Sequence, residues 1–289
     1  MAIELLIEGR PRDLGGFSVR RVLPAVQRRL VGPFIFFDHM GPADFAPGVG
    51  FDVRPHPHVG LATVTYLFAG EMQHKDSVGS DRVVRPGDVN WMIAGRGIAH
   101  SERATAEGRK NGLAMHGIQS WVALPLEHEE TEPRFEHHPR ATLPHLSVDG
   151  ASLDVIAGTA YGKTSPVGVL SPTIYVHARL DADAELPVDD GHEERAVYVV
   201  EGRVRLGEQA LGPGALAVLE PGARVRVVAE EAARVMLLGG AHLEGRREIY
   251  WNFVASSKER IERAKDDWKN RRFPIIPGDD VELIPLPEV

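Results

Sequence analysis

Apolar residues in this chain come in short runs cut by glycine and proline. Between residues 17 and 124 the clearest runs are 61–68, 89–93 and 117–124, with Gly70, Pro86-Gly87 and Gly95 between them. Runs of this length bounded by turn residues predict strands, and their spacing predicts a sandwich or barrel. Residues 127–145 are rich in Glu, His and Pro and predict a connector. A second region of strand character spans 150–243, with runs at 175–180, 196–200, 216–219 and 235–238. The segment 256–270 (SSKERIERAKDDWKN) has neither Gly nor Pro and predicts a helix. Ser256 or Ser257 would cap it, with Glu259 in the first turn.

The two strand-rich regions repeat each other. TVTYLFAG at 63–70 aligns with RAVYVVEG at 195–202, which matches Tyr66 with Tyr198 and Gly70 with Gly202. Pro86-Gly87 then matches Pro213-Gly214, and Gly95/Gly97 fall near Gly222. A repeat this long is no solenoid and predicts a duplicated domain. The expected boundaries are an N-terminal domain at 1–130, a linker at 131–149, a C-terminal domain at 150–245 and a tail with the helix at 246–289.

Composition narrows the function. With 289 residues, 43% of them apolar, the chain can fill two cores. Its net charge of -8 argues against direct nucleic-acid binding and against an anionic membrane surface. With no cysteine there is no disulfide, thiolate metal site or cysteine nucleophile. The start, MAIELLIEGR, lacks a signal-peptide core, and no apolar run reaches the length of a membrane span. A cytoplasmic protein is the expectation.

The chemistry sits in two residue pairs. His56 and His58 are separated by Pro57, and alternate residues of a strand project to one face. Pro55 and Pro57 hold Arg54 and His56 extended, so the pair is a pre-set two-toothed claw. His100 and Glu102 form a second claw at the same spacing. Three neutral imidazoles and a carboxylate suit Fe(II), Ni, Cu or Zn, and manganese also falls within the range. The bland reading of Glu102 is an ion pair with Arg103 or Arg96.

His56-x-His58, then Thr63, then Gly70 resembles the first cupin motif, and Gly87 followed by GRGIAH at 95–100 resembles the second. Thr63 stands where cupins usually carry glutamate, and Glu102 restores a carboxylate. That exchange, with GPFIFFDH at 32–39, PHPHVGL at 55–61, GRGIAHSE at 95–102, QSWVALP at 119–125 and NFVAS at 252–256, is similar to the pirin family over nearly the whole chain. The resemblance implies an all-β bicupin: two antiparallel jelly-roll barrels, face to face, with a C-terminal helix. It implies one divalent metal, iron(II), held in the N-terminal cupin by His56, His58, His100 and Glu102. It also implies dioxygenation of flavonols such as quercetin, with O₂ consumed, carbon monoxide released and Glu102 as proton acceptor. The alternative it carries is a redox-sensitive iron protein that regulates transcription through a protein partner, without turnover. A sugar-phosphate isomerase would want a basic cluster at the metal, where only Arg54 and Arg96 are near in sequence.

Other residues have plainer readings. His39, His74 and His116 are expected in the core or behind the ligands, and His137-His138 in solvent. Trp91, Trp121, Phe36 and Phe37 either wall a pocket for an aromatic substrate or fill the core. In the second half the claw positions are not both histidine, so a cupin without metal is expected. The alternative is a second site from His177, His192 and His242. Oligomeric state is not encoded in any feature found.

Overall fold

The computed structural model describes residues 2–13 and 17–288, and β-strands dominate it. The chain divides into two compact units. One contains residues 40–140 and 244–288; the other contains 2–12, 19–39 and 141–243. Neither is a continuous stretch. The first strand, Ile3–Glu8, pairs antiparallel with Ala215–Leu219, so it belongs with the second half. The tail from 244 onward belongs with the first half. Boundaries drawn along the chain cannot anticipate such exchanges, because pairing between distant strands leaves no local signal.

In the unit that carries both claws, a four-stranded sheet runs in the order Asp52–His58, Ile98–Arg103, Met72–Asp76, Asp81–Val84. A second sheet runs Arg134–His138, Val89–Ile93, Leu61–Ala69, Leu113–Ala123, and continues to Phe34–Phe45, whose residues 40–45 lie in this unit. All three strands predicted in this region form. So does Arg134–His138, inside the expected connector, where it pairs with Val89–Ile93. His137 is half-buried rather than solvated, with Nδ1 2.7 Å from Asn90 Oδ1. A short helix, Ala106–Asn111, capped by Thr105, was not anticipated.

The other unit pairs a sheet containing Ala215–Leu219, Glu194–Glu201, Ala233–Gly240, Thr173–Leu180 and Ala151–Ala160 with a smaller one around Val204–Leu206 and Arg226–Ala229. Its interior is filled by aliphatic side chains, among them Val176, Val197, Val199, Val235 and Leu237. The repeat is visible in backbone geometry. Gly70 and Gly202 both have positive φ, +85° and +74°, and a Cβ there would meet the carbonyl oxygens of Ala114 and Ala232 at 1.9 and 2.4 Å. Only glycine fits such turns.

The tail helix is Lys258–Lys269, with the Ser257 hydroxyl accepting from the Arg260 N–H. Its Ile261, Ala264 and Trp268 form one apolar stripe, which packs with Val59, Ala99, Phe253 and Ile276. Val59 follows the first claw and Ala99 precedes the second. Among the described residues no helix is long and apolar enough to cross a membrane.

Candidate metal centre

The two claws lie on adjacent antiparallel strands, and His56 is directly paired with His100. A bulge between His100 and Glu102 shifts the register, and Glu102 pairs with Val53. All four side chains are buried. Donor nitrogens of His56, His58 and His100 lie within 4.8 Å of one another, as do donor atoms of His74, His100 and Glu102. The structure thus brings His56, His58 and His100 together and places Glu102 in a second group with His100 and His74, a residue expected in the core or behind the ligands.

Hydrogen bonds fix which nitrogens face inward. His56 Nδ1 is 2.9 Å from the Arg54 carbonyl, and His58 Nδ1 is 3.1 Å from the Asn252 carbonyl. A carbonyl only accepts, so both Nδ1 atoms carry the proton and both Nε2 atoms present lone pairs. Burial holds His56 below the usual histidine range, and His58 and His100 well below it. Neutral imidazoles are the form that binds metal. His58 Nε2 lies 3.1 Å from His100 Nε2. That is about the separation of two nitrogens at right angles around an ion with bonds of ~2.1 Å. The donor set therefore fits a divalent ion.

Glu102 is not ion-paired with Arg103 or Arg96. Arg103 forms a bidentate pair with Asp279, and Arg96 binds Glu132. Glu102 instead accepts from the Gln119 amide at 2.7 and 2.8 Å and from the Thr65 hydroxyl at 3.2 Å. Gln119 is paired with Thr65 and Trp121 with Thr63 on adjacent strands, so all four share the face turned to the claws. Thr63 is buried there. The partners of Glu102 were missed, although Gln119 and Trp121 stand at i, i+2 in a predicted strand.

Of the four candidate pocket aromatics, only Trp121 reaches the centre, its ring 5.2 Å from that of His58. Trp91 pairs with Val64, on the opposite face of the sheet, and is core. Phe37 packs on Tyr198 and Phe36 lies under Arg21, both in the other unit. His39 bonds Tyr198, and His116 is buried edge-on to Phe68. His177, His192 and His242 bond separately to Asp154, Thr159 and Glu194.

An open cleft of about 970 Å³ lies between the sheet-edge strands Asp81–Val84 and Arg134–His138, lined by Arg82, Arg85, Phe135 and His137 among others. Phe135 stacks on His74 at 4.4 Å, and His74 touches His100.

Comparison with known proteins agrees with this geometry. The Pirin family model matches residues 16–122, and the model of the Pirin C-terminal cupin domain matches 175–274. A pirin-like protein of Caulobacter vibrioides is 51% identical over 290 residues, which cover 99% of this chain and 100% of that one. A Pseudomonas aeruginosa protein provisionally named a quercetin 2,3-dioxygenase is 38% identical over 94% of this chain and 87% of its own. The solved structure of a quercetin 2,3-dioxygenase from Acinetobacter baumannii superposes with a TM-score of 0.91 at 33% identity, covering 99% of this chain and 95% of that one. The fold is an all-β bicupin, and the chain belongs to the pirin family.

Proposed function

We propose that this protein is an iron(II)-dependent dioxygenase that opens flavonol-like aromatics such as quercetin with O₂ and releases carbon monoxide. The observation that carries the reading is the convergence of three buried, neutral imidazoles, one of which, His100, is also grouped with a carboxylate held by Gln119 and Thr65. His56, His58, His100 and Glu102 would hold the ion. When bound, it would supply a Lewis-acid centre that favours the ionised form of a chelating hydroxyl and a place for oxygen.

The chain's own residues supply the rest. Trp121 fixes the His58 ring and offers an aromatic face beside it. Thr63 brings no carboxylate, so the base that accepts the substrate's hydroxyl proton is Glu102. The names of the Pseudomonas and Acinetobacter relatives support the substrate class.

Metal-loaded protein incubated aerobically with quercetin should consume O₂ and release carbon monoxide, and Glu102→Ala should abolish both. Loaded protein that does neither overturns the dioxygenase reading. Carbon monoxide release that survives Glu102→Ala unchanged removes Glu102 from the chemistry.

A further inference from the structure

Behind the second claw lies a third pair at the same spacing, His74 and Asp76, which no part of the proposed chemistry uses. Their strand, Met72–Asp76, pairs with the second claw strand, placing Asp76 opposite His100 and His74 opposite Glu102. Both side chains are buried. Asp76 divides its oxygens. Oδ1 accepts the backbone N–H groups of Val78 and Ser80 at 3.0 and 2.9 Å, and Oδ2 lies 2.9 Å from His74 Nε2. His74 Nδ1 lies 3.4 Å from His100 Nδ1. The His74 ring is stacked on Phe135, with 16° between the planes.

We propose that Asp76 and His74 are positioning residues that dictate which nitrogen of His100 faces the metal. The reasoning follows the protons. A carboxylate only accepts, so His74 must carry a proton on Nε2, and in its neutral form it then presents Nδ1 as an acceptor. His100 then donates from its own Nδ1, which leaves its Nε2 lone pair facing the Nε2 of His58. His56 and His58 receive the same instruction from backbone carbonyls. Among the described residues His100 has no carbonyl in that role, and it depends on the relay. Outer partners of this kind orient ligating histidines and raise their basicity.

The arrangement permits a test that reverses polarity without changing shape. In Asp76→Asn, the side-chain oxygen must stay at the Oδ1 position to accept from Val78 and Ser80. The amide NH₂ then faces His74 and donates to Nε2. His74 shifts its proton to Nδ1, His100 Nδ1 becomes the acceptor, and the His100 proton moves to Nε2, where the metal should bind. The fold keeps its hydrogen bonds while the claw loses one lone pair.

The proposal rests on the reading that His56, His58 and His100 hold the ion, and the readouts separate the two. Nickel(II) affinity of the full chain, measured against a chromophoric chelator, should fall 10- to 100-fold in Asp76→Asn, the range typical for loss of such partners. Nitrogen-15 NMR of the metal-free proteins should show His100 protonated on Nδ1 in the wild type and on Nε2 in the variant. A folded variant whose nickel affinity stays within threefold of wild type overturns the relay. So does a wild-type His100 protonated on Nε2, a result that needs no variant to fold. Wild-type protein that takes up no nickel overturns the ligand reading, while the NMR result still judges the relay.

Discussion

At the scale of single residues, the centre combines neutral imidazoles with one buried carboxylate, and each carries a measurable cost. Burial lowers the affinity of His56, His58 and His100 for protons, so the metal-free native state holds them neutral at pH values where the unfolded chain is protonated. Below about pH 6.5 the unfolded state binds more protons, and native stability falls as pH falls, by up to about 1.4 kcal/mol per pH unit for each histidine. Urea denaturation of metal-free protein at pH 7.5 and 5.5 should show this loss; equal stabilities would contradict neutral burial. Glu102 depends on Gln119 for two of its three hydrogen bonds from side chains. Gln119→Met should destabilise the metal-free protein by about 1–3 kcal/mol, because the carboxylate stays buried with one donor left. Added metal, by supplying charge to Glu102, should shrink that difference in thermal melts.

At the scale of elements, the tail acts as a strap across the two claw strands. The Ile284 N–H donates to the Pro55 carbonyl at 2.8 Å, beside His56. Asp279 accepts from Ser101, which stands between His100 and Glu102, and from Nε and Nη2 of Arg103. Trp268 holds the strap from the helix by donating to the Ile284 carbonyl. Burial alone would raise Asp279, but hydrogen bonds from Arg103 and Ser101 outweigh it and hold the carboxyl below its usual range. The clamp therefore contributes above about pH 4 and is lost as pH falls through the lowered value. The pair is partly exposed, so Asp279→Asn should cost only about 1 kcal/mol globally. Hydrogen exchange at residues 277–286 should nevertheless rise, with the barrel strands unchanged; unaltered exchange there would mean that Asp279 does not hold the strap.

At the scale of the whole molecule, local features were legible and long-range pairings were not. Strands at 61–68, 89–93 and 196–200 showed themselves as apolar runs between glycines, and the helix cap as a serine followed by Glu259. The claws were legible because i, i+2 spacing translates directly into a shared face. The strand Ile3–Glu8 was invisible because its partner, Ala215–Leu219, is far away in sequence. Gln119 was missed because its partner Glu102 lies on another sheet, and the local pair His74 and Asp76 because only strand pairing sets it beside His100. The same topology sets how many ions the molecule can hold. Both groups of side chains able to take a metal, among the described residues, include His100. A neutral imidazole has one lone-pair nitrogen, so His100 serves one ion, and elemental analysis of fully loaded protein should give one ion per chain. His100→Ala should empty both groups at once and bring the value close to zero. His177→Ala, in the other unit, should leave it at one. Two ions in the wild type, or one retained in His100→Ala, would place a metal outside the claws.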